Sequence, residues 1–126
     1  MGKKNILILG ATGFIGRNMA EFFSSNPDFI VTGTYLKSKP LNNPLIKMIQ
    51  VDLTCVDQVN DILCNADIVI QAAARTSGVK DILSQPHIHV TDNAIMNSLI
   101  FRAAFEHNVS HLIFFSCSAM YPSSLS

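Results

Sequence analysis

The sequence has no excess of either charge. Nine Lys and Arg residues balance nine Asp and Glu residues, so the formal net charge is +0 when His is neutral. Without a net field, the chain has no long-range attraction for nucleic acid or for an anionic membrane surface. The charge balance therefore predicts neither of these as a partner.

Cysteines and long apolar runs are also scarce. The three cysteines, Cys55, Cys64 and Cys117, form an odd number without Cys-x-x-Cys spacing, which argues against a disulfide framework. The apolar run after Lys3 and Lys4 is too short for a signal sequence or a membrane span. We expect a reduced, soluble protein of the cytoplasm. The four histidines show no firm ligand spacing, so no metal site is predicted.

What the sequence does contain is five apolar runs that alternate with helical patterns. Such runs are typical of strands buried on both faces of a parallel sheet. The predicted strands cover residues 5–9, 29–35, 47–51, 67–70 and 111–115. The alternation predicts an α/β fold, a Rossmann-type doubly wound parallel sheet of strand order 3-2-1-4-5 that is truncated after strand five. With 126 residues, 48% of them hydrophobic, the chain fits one domain.

Three helices are predicted between these strands. The first begins at Phe14 and ends in the polar stretch 24–27. The second follows Thr54, which together with Asp57 resembles a capping box. The third opens at Pro86. Its predicted apolar stripe consists of Val90, Ala94, Ile95, Leu99, Ala103 and Ala104.

A glycine-rich turn follows the first strand. Gly10, Gly13 and Gly16 occur in GATGFIG with the spacing GxxGxxG. The first glycine permits the tight turn, the second lets backbone N–H groups approach a pyrophosphate, and the third lets the helix pack closely on the strand. The helix N-terminus adds about half a positive charge that faces the phosphates. Three turn glycines alone would be a weak signal, but their position between a strand and a helix favours dinucleotide binding.

The GATGFIG turn resembles the fingerprint of the extended short-chain dehydrogenase/reductase family, the NAD(P)-dependent epimerases and dehydratases of nucleotide sugars. Asp52 is similar to the family's Asp that hydrogen-bonds the adenine amine. The stretch 71–74 is similar to its small-residue turn beside the cofactor ribose, and Asn93 to a helix asparagine. The stretches QAAARTSGVKDI and NAIMNSLIFRAAFEHNVSHLIFFSCSAMYP are most similar to the GDP-fucose synthase branch. The resemblance implies a cofactor site made of Gly10, Thr12, Gly13, Phe14, Ile15, Gly16, Lys37, Asp52, Leu53, Gln71, Ala72, Ala73, Ala74 and Asn93.

The end of the second strand bears on the choice between NAD and NADP. A site that prefers NAD usually has an Asp or Glu there for the ribose 2′-hydroxyl, whereas this sequence has Tyr35. Lys37, Ser38 and Lys39 follow, and they could meet a 2′-phosphate by charge and hydrogen bonds. The sequence therefore favours NADP over NAD, with a solvated basic loop as the alternative.

The family's acid/base pair, Tyr-x-x-x-Lys, has no convincing match in this chain. Tyr35 and Lys39 have the spacing, but they lie near the adenosine half of the predicted site, and Tyr121 has Leu125 four residues later. The resemblance implies that the pair lies beyond residue 126.

The segment after the fifth strand is predicted to line the substrate site. The family pattern, counted back four residues from Tyr121, puts Cys117 where the family usually has Ser or Thr. A thiol is a poor hydrogen-bond donor, so Ser116 or Ser118 could orient the substrate while Cys117 only packs. The alternatives for Cys117 are a nucleophile, for which no activating His pair is evident, and a buried structural residue. The catalytic candidates are therefore Ser118 and Cys117.

Taken together, the resemblance implies the NAD(P)-binding portion of a nucleotide-sugar epimerase, dehydratase or reductase. Residues 1–126 would be the N-terminal part of the Rossmann domain, with the substrate domain outside this chain. Such a chain is expected to bind NADP or NAD but not to catalyse, and the open edge beside the fifth strand makes a homodimer possible. The alternatives are a non-catalytic NAD(P)-sensing regulatory protein of the same fold and a pseudo-domain that only assembles with partners.

Overall fold

The computed structural model describes residues 2–74 and 86–115, with the backbone alone at 86–90. Five strands and three helices are found there. The strands are β1 (Lys4–Leu9), β2 (Phe29–Tyr35), β3 (Ile46–Gln50), β4 (Ile68–Gln71) and β5 (His111–Phe114). The helices are α1 (Phe14–Ser24), α2 (Val56–Leu63) and α3 (Pro86–Glu106). Every strand begins and ends within one residue of its predicted bounds.

The strands form one parallel sheet in the order β3-β2-β1-β4-β5, which confirms the predicted topology. At its centre, Leu7 of β1 pairs with Thr32 of β2 on one side and with Val69 of β4 on the other. Residues 6–9 are no more than 3% exposed. Burial on both faces explains why β1 is a continuous apolar run rather than an alternating one.

Successive side chains of β1 enter two separate hydrophobic clusters, because neighbouring residues of a strand point to opposite faces. The cluster on the α1 face contains Ile6, Ile8, Ala11, Ala20, Val31, Ile46 and Ile70. The cluster on the opposite face contains Leu7, Leu9, Val51, Leu53, Val59, Leu63, Val69, Met96, Ile100, Ala103 and Ala104. One helix thus covers the first face, and α2 and α3 cover the second.

The start of α2 differs from the predicted capping box. The N-cap residue is Cys55, which makes no side-chain cap hydrogen bond. Thr54 lies outside the helix, where its backbone N–H and its hydroxyl both donate to Asp52 Oδ1, at 2.9 and 2.6 Å. The capping prediction was wrong because the carboxylate two residues earlier engages the threonine in a local turn of its own.

The buried face of α3 also differs from the predicted stripe. Ala103 and Ala104 are buried as expected, but Ile95 is 42% exposed, while Met96 is 8% and Ile100 0% exposed. Leu99 is half-buried, Ala94 is exposed, and the Val90 side chain lies outside the described residues. A helix turns by about 100° per residue, so a core face made of positions 96, 100, 103 and 104 leaves Ala94 and Ile95 on the side of α3 that is turned away from the core.

An asparagine ends α3 and lets the chain enter β5. Asn108 has a φ of +55°, the left-handed conformation that often follows a helix. The Val109 N–H then donates to the Ala104 carbonyl at 3.0 Å, which satisfies an acceptor of the last turn. Among the residues that the structure describes, no helix is both long enough and apolar enough to cross a bilayer.

Candidate cofactor site

The first glycine of the GATGFIG turn lies where other residues do not fit. Gly10 follows β1 with a φ of +77°, a conformation that L side chains rarely adopt. A Cβ built on Gly10 would lie 2.5 Å from the Ala73 Cα. The Gly10 N–H donates to Thr34 Oγ1 at 3.0 Å, and the Ala11 N–H donates to the Thr34 carbonyl at 2.9 Å. The turn is therefore fixed between β2 and the residues that follow β4.

The third glycine allows α1 to pack against the end of β1. Gly16 is buried in the first turn of α1. A Cβ on Gly16 would overlap the carbonyl oxygen of Gly10 and lie 3.0 Å from the Ala11 Cα. Backbone atoms cannot move aside as a flexible side chain can, so this close packing depends on glycine. It is the role that the GxxGxxG spacing predicts.

Within the part of the chain that the structure describes, the second glycine has no such packing reason. Gly13 is the exposed N-cap of α1, with φ −75° and ψ 172°, an extended conformation open to any residue. A Cβ there would meet only the Gly10 carbonyl oxygen, at the ordinary contact distance of 3.7 Å. What a side chain would occupy is the space in front of the helix N-terminus. The fit to a diphosphate group rests on this open approach.

Backbone N–H groups face that open space. The Arg17 N–H donates to the Gly13 carbonyl at 2.8 Å, so the amides of residues 14–16 precede the first hydrogen bond within α1. Gly13 has no side chain that could cap the helix, and the first turn of α1, which lies wholly within the described residues, contains no acidic residue. Together with the helix dipole, these amides favour an anion here.

Two large apolar side chains also lie at this end of α1. Phe14 is 86% exposed and Ile15 is 43% exposed. Folding of the described residues therefore leaves apolar surface beside the amides that could hold a phosphate. Such a surface suits the non-ionic parts of a large ligand, since binding sites combine apolar walls with a few polar groups.

The turn after β4 lies against the glycine turn, as the sequence predicts for residues 71–74. Ala72 donates its N–H to the Leu9 carbonyl at 3.0 Å. Gln71 is 2% exposed, and its side chain is directed into the protein, where Oε1 accepts from the Ala73 N–H at 3.0 Å. Ala74 is exposed. The backbone of this turn, rather than the Gln71 side chain, is presented at the sheet edge.

The partner of Gln71 is a residue that the sequence did not single out. Gln71 Nε2 donates to Asn97 Oδ1 of α3 at 2.9 Å. The signal for it was a polar residue among the apolar positions 96, 100 and 103 of the same helix face. Asn93, the helix residue that the resemblance selected, is half-buried and also has an interaction partner.

Asp52 and Leu53 follow β3 at the same edge of the sheet. Asp52 is half-buried, accepts from Thr54 as described above, and donates its N–H to Gln58 Oε1 at 2.8 Å. Leu53 is 6% exposed and belongs to the core on the α2 and α3 face. These hydrogen bonds and the burial of Leu53 thus hold the loop after β3, which contains the residue predicted to contact the adenine.

The loop after β2 is joined to the glycine turn by two hydroxyl groups. Thr12 Oγ1 and Ser38 Oγ lie 2.6 Å apart. Tyr35 is half-buried at the strand end, and Lys37 and Lys39 are exposed. Of the residues predicted to bear on the choice between NAD and NADP, Ser38 is therefore shown in contact with the glycine turn. Ser116, Cys117 and Ser118 lie outside the described residues.

The sheet order and the strand–glycine turn–helix junction define a Rossmann-type fold. The model of the NAD dependent epimerase/dehydratase family matches residues 6–126. The chain belongs to this family, which confirms the family that the motifs resemble.

Relatives and solved structures agree with this assignment. A dTDP-glucose 4,6-dehydratase of Mycolicibacterium smegmatis is 30% identical over 112 residues, which are 82% of this chain and 34% of the relative. A GDP-L-fucose synthase of Azorhizobium caulinodans is 28% identical over 125 residues, 97% of this chain and 36% of the relative. A solved UDP-N-acetylglucosamine 4-epimerase from Methanobrevibacter ruminantium M1, in complex with UDP-N-acetylmuramic acid, is 30% identical with a TM-score of 0.81, over 98% of this chain and 41% of that one. The chain spans about a third of the length of these two curated relatives.

Proposed function

We propose that this chain is the NAD(P)-binding portion of a nucleotide-sugar epimerase, dehydratase or reductase. The observation that carries the proposal is the environment of Gly13. Nothing within the described residues requires a glycine there, and its lack of a side chain leaves the amides at the start of α1 without a side-chain cap. A diphosphate that approaches these amides explains both facts.

The remaining site residues are assigned by their position at the same sheet edge. The amides of Phe14, Ile15 and Gly16 would hold the diphosphate, with Thr12 beside it. The turn of residues 72–74 would pass the cofactor ribose, and Asp52 with the adjacent Leu53 would lie at the adenine. Asn93 would approach the cofactor from α3.

When bound, the nicotinamide supplies hydride transfer, and this chain's residues bind and orient the nucleotide. Tyr35 and Lys39 are not the acid/base pair in this proposal, because Tyr35 ends β2 and Lys39 lies in the loop after it, the loop that contains the Thr12–Ser38 contact. Ser118 and Cys117 are proposed to line the substrate site. The chain by itself is expected to bind the cofactor without turnover.

The named relatives act on dTDP-glucose or are named for GDP-L-fucose, which supports a nucleotide sugar as the substrate of the whole protein. Residues 1–126 would then form the first part of its cofactor domain, with the substrate domain elsewhere. A Tyr-x-x-x-Lys pair in a longer form of the protein would favour this proposal over a non-catalytic sensor of the same fold. Light scattering of the chain tests the homodimer.

Calorimetric titration of the folded chain with NADH and with NADPH tests cofactor binding directly. We expect the wild type to bind, Gly13→Val to lose binding while keeping its circular dichroism spectrum, and Gly2→Val to bind as the wild type does. Gly2 is the matched control because a Cβ added there meets nothing within 4 Å. A folded wild type that releases no heat with either nucleotide overturns the proposal.

A further inference from the structure

A line of hydrogen bonds connects α3 to the turn after β4. Asn97 Oδ1 accepts from Gln71 Nε2 at 2.9 Å, and Gln71 Oε1 accepts from the Ala73 N–H at 3.0 Å. On the other side of the turn, the Ala72 N–H donates to the Leu9 carbonyl at 3.0 Å. One backbone bond and one side-chain bond therefore hold the two successive amides of this turn.

The side-chain bond depends on the direction of the Gln71 amide. Because Gln71 is 2% exposed, both ends of its amide need partners inside the protein. Its oxygen faces a donor, the Ala73 N–H, and its NH₂ group faces an acceptor, Asn97 Oδ1. If the amide turned over, its NH₂ group would face the Ala73 N–H, and two donors would oppose each other. The Ala73 N–H thus sets the orientation of the Gln71 amide, and the Asn97 oxygen holds the other end of that amide in place.

Ala73 is the residue that limits the space at Gly10. The Cα, Cβ and N atoms of Ala73 are the three nearest atoms to a Cβ built on Gly10, at 2.5, 2.8 and 2.8 Å. The Gly10 carbonyl in turn lies against Gly16 in the first turn of α1. Displacement of Ala73 would therefore be transmitted to the glycine turn.

We propose that Asn97 is a positioning residue for the dinucleotide site, acting through Gln71 on Ala73 and Gly10. The identity of the ligand rests on the proposed function. The line of hydrogen bonds itself can be tested in the ligand-free chain. In the wild type Asn97 acts through its side-chain oxygen as the acceptor for Gln71 Nε2, and the scheme requires no contact of Asn97 with the ligand.

The central experiment measures amide hydrogen exchange at Ala73 in the ligand-free chain. Asn97→Leu, which removes the acceptor, is expected to raise the exchange rate of the Ala73 amide and to weaken dinucleotide binding, each about tenfold, the effect of about one lost hydrogen bond. Asn97→Asp keeps an oxygen at the same place, so exchange and affinity should stay within about twofold of the wild type. Ser98→Leu is the control for a leucine added to α3, since Ser98 is exposed.

A double variant keeps the proposal testable if Asn97→Leu does not fold. In Gln71→Glu alone, a carboxylate oxygen can still accept from Ala73 and the Asn97 amide can turn to donate. In the double variant Gln71→Glu, Asn97→Asp, two carboxylates face each other. Ala73 should then lose protection at a pH high enough to ionise both carboxylates and regain it at lower pH, when the pair shares a proton.

The possible results separate this proposal from the proposed function. If Asn97→Leu leaves Ala73 exchange unchanged, or if Asn97→Asp is as impaired as Asn97→Leu, Asn97 is not a positioning residue. If the exchange rates follow the prediction while wild-type affinity for NADH and NADPH is absent, the cofactor assignment fails and with it the role of Asn97 in binding. Coupled changes in exchange and affinity, rescued by Asn97→Asp, support both.

Discussion

The Cβ that Gly16 lacks would overlap the carbonyl oxygen of Gly10, although six positions of the chain separate the two residues. The contact joins the end of β1 to the first turn of α1. A Cβ on Gly13, between them, would lie 3.7 Å from that same oxygen. The glycines of one motif therefore have different roles. Gly10 and Gly16 are needed for close packing within the fold, whereas Gly13 leaves space in front of the helix.

This difference predicts losses of stability of different size for two alanine substitutions. Gly16→Ala should lower the free energy of unfolding by about 3 kcal/mol, the upper end for an overpacked site, because its methyl group meets backbone. Gly13→Ala should cost less than about 1 kcal/mol, since only an N-cap preference changes. Urea unfolding followed by circular dichroism measures both. Equal stabilities of the two variants would contradict the close packing of α1 on β1.

A second pair of substitutions tests which face of α3 is buried. Ile100→Ala should cost about 2–5 kcal/mol, because Ile100 is 0% exposed and its removal leaves a cavity. Ile95→Ala should change stability by less than about 1 kcal/mol, since Ile95 is 42% exposed. The same unfolding measurement compares them. A larger loss for Ile95→Ala would favour the stripe that the sequence pattern suggests.

The sequence predicted the strands well because each is an apolar run bounded by glycine, proline or polar residues. It predicted the order of the sheet because right-handed crossovers leave few arrangements for alternating strands and helices. The face of α3 was harder to predict. Apolar residues occur at 94, 95 and 99 as well as at 96 and 100, so two stripes overlap, and only contact with the sheet decides between them.

Two features of the site were not predicted from the sequence. Asn97 and Gln71 are 26 positions apart, and their hydrogen bond exists only once α3 lies on the sheet. Thr54 has the residue type and the spacing of a cap, but the Asp52 carboxylate, at two positions' distance, accepts both of its donors. In the first case a contact formed in the fold determines the role of the residue, and in the second a local turn around Asp52 competes with the cap.

The preference for NADP that the residues after β2 suggest in the sequence predicts a selective effect of one lysine. Lys37→Gln should weaken NADPH binding about tenfold, because a cation beside a 2′-phosphate is lost, and should leave NADH binding unchanged. Lys47→Gln is the control, since Lys47 is also an exposed lysine but lies within β3, where it pairs with Thr32 of β2, and not in the loop after β2. Calorimetry with both nucleotides measures the ratio. Tighter binding of NADH than of NADPH by the wild type would reject the preference.

The uncapped start of α2 predicts a substitution that stabilises the protein. Cys55 has the extended backbone of an N-cap, φ −100° and ψ 117°, but makes no side-chain cap bond. In Cys55→Ser, the hydroxyl oxygen can accept from an amide in the first turn of α2, which should add about 0.5–1 kcal/mol. Cys64→Ser is the matched control, because exposed Cys64 only donates to the Asp61 carbonyl, at 3.1 Å, and a serine hydroxyl can do the same. Thermal unfolding under reducing conditions should therefore show a higher Tm for Cys55→Ser alone, and an equal rise in both variants would mean that thiol removal, not capping, is responsible.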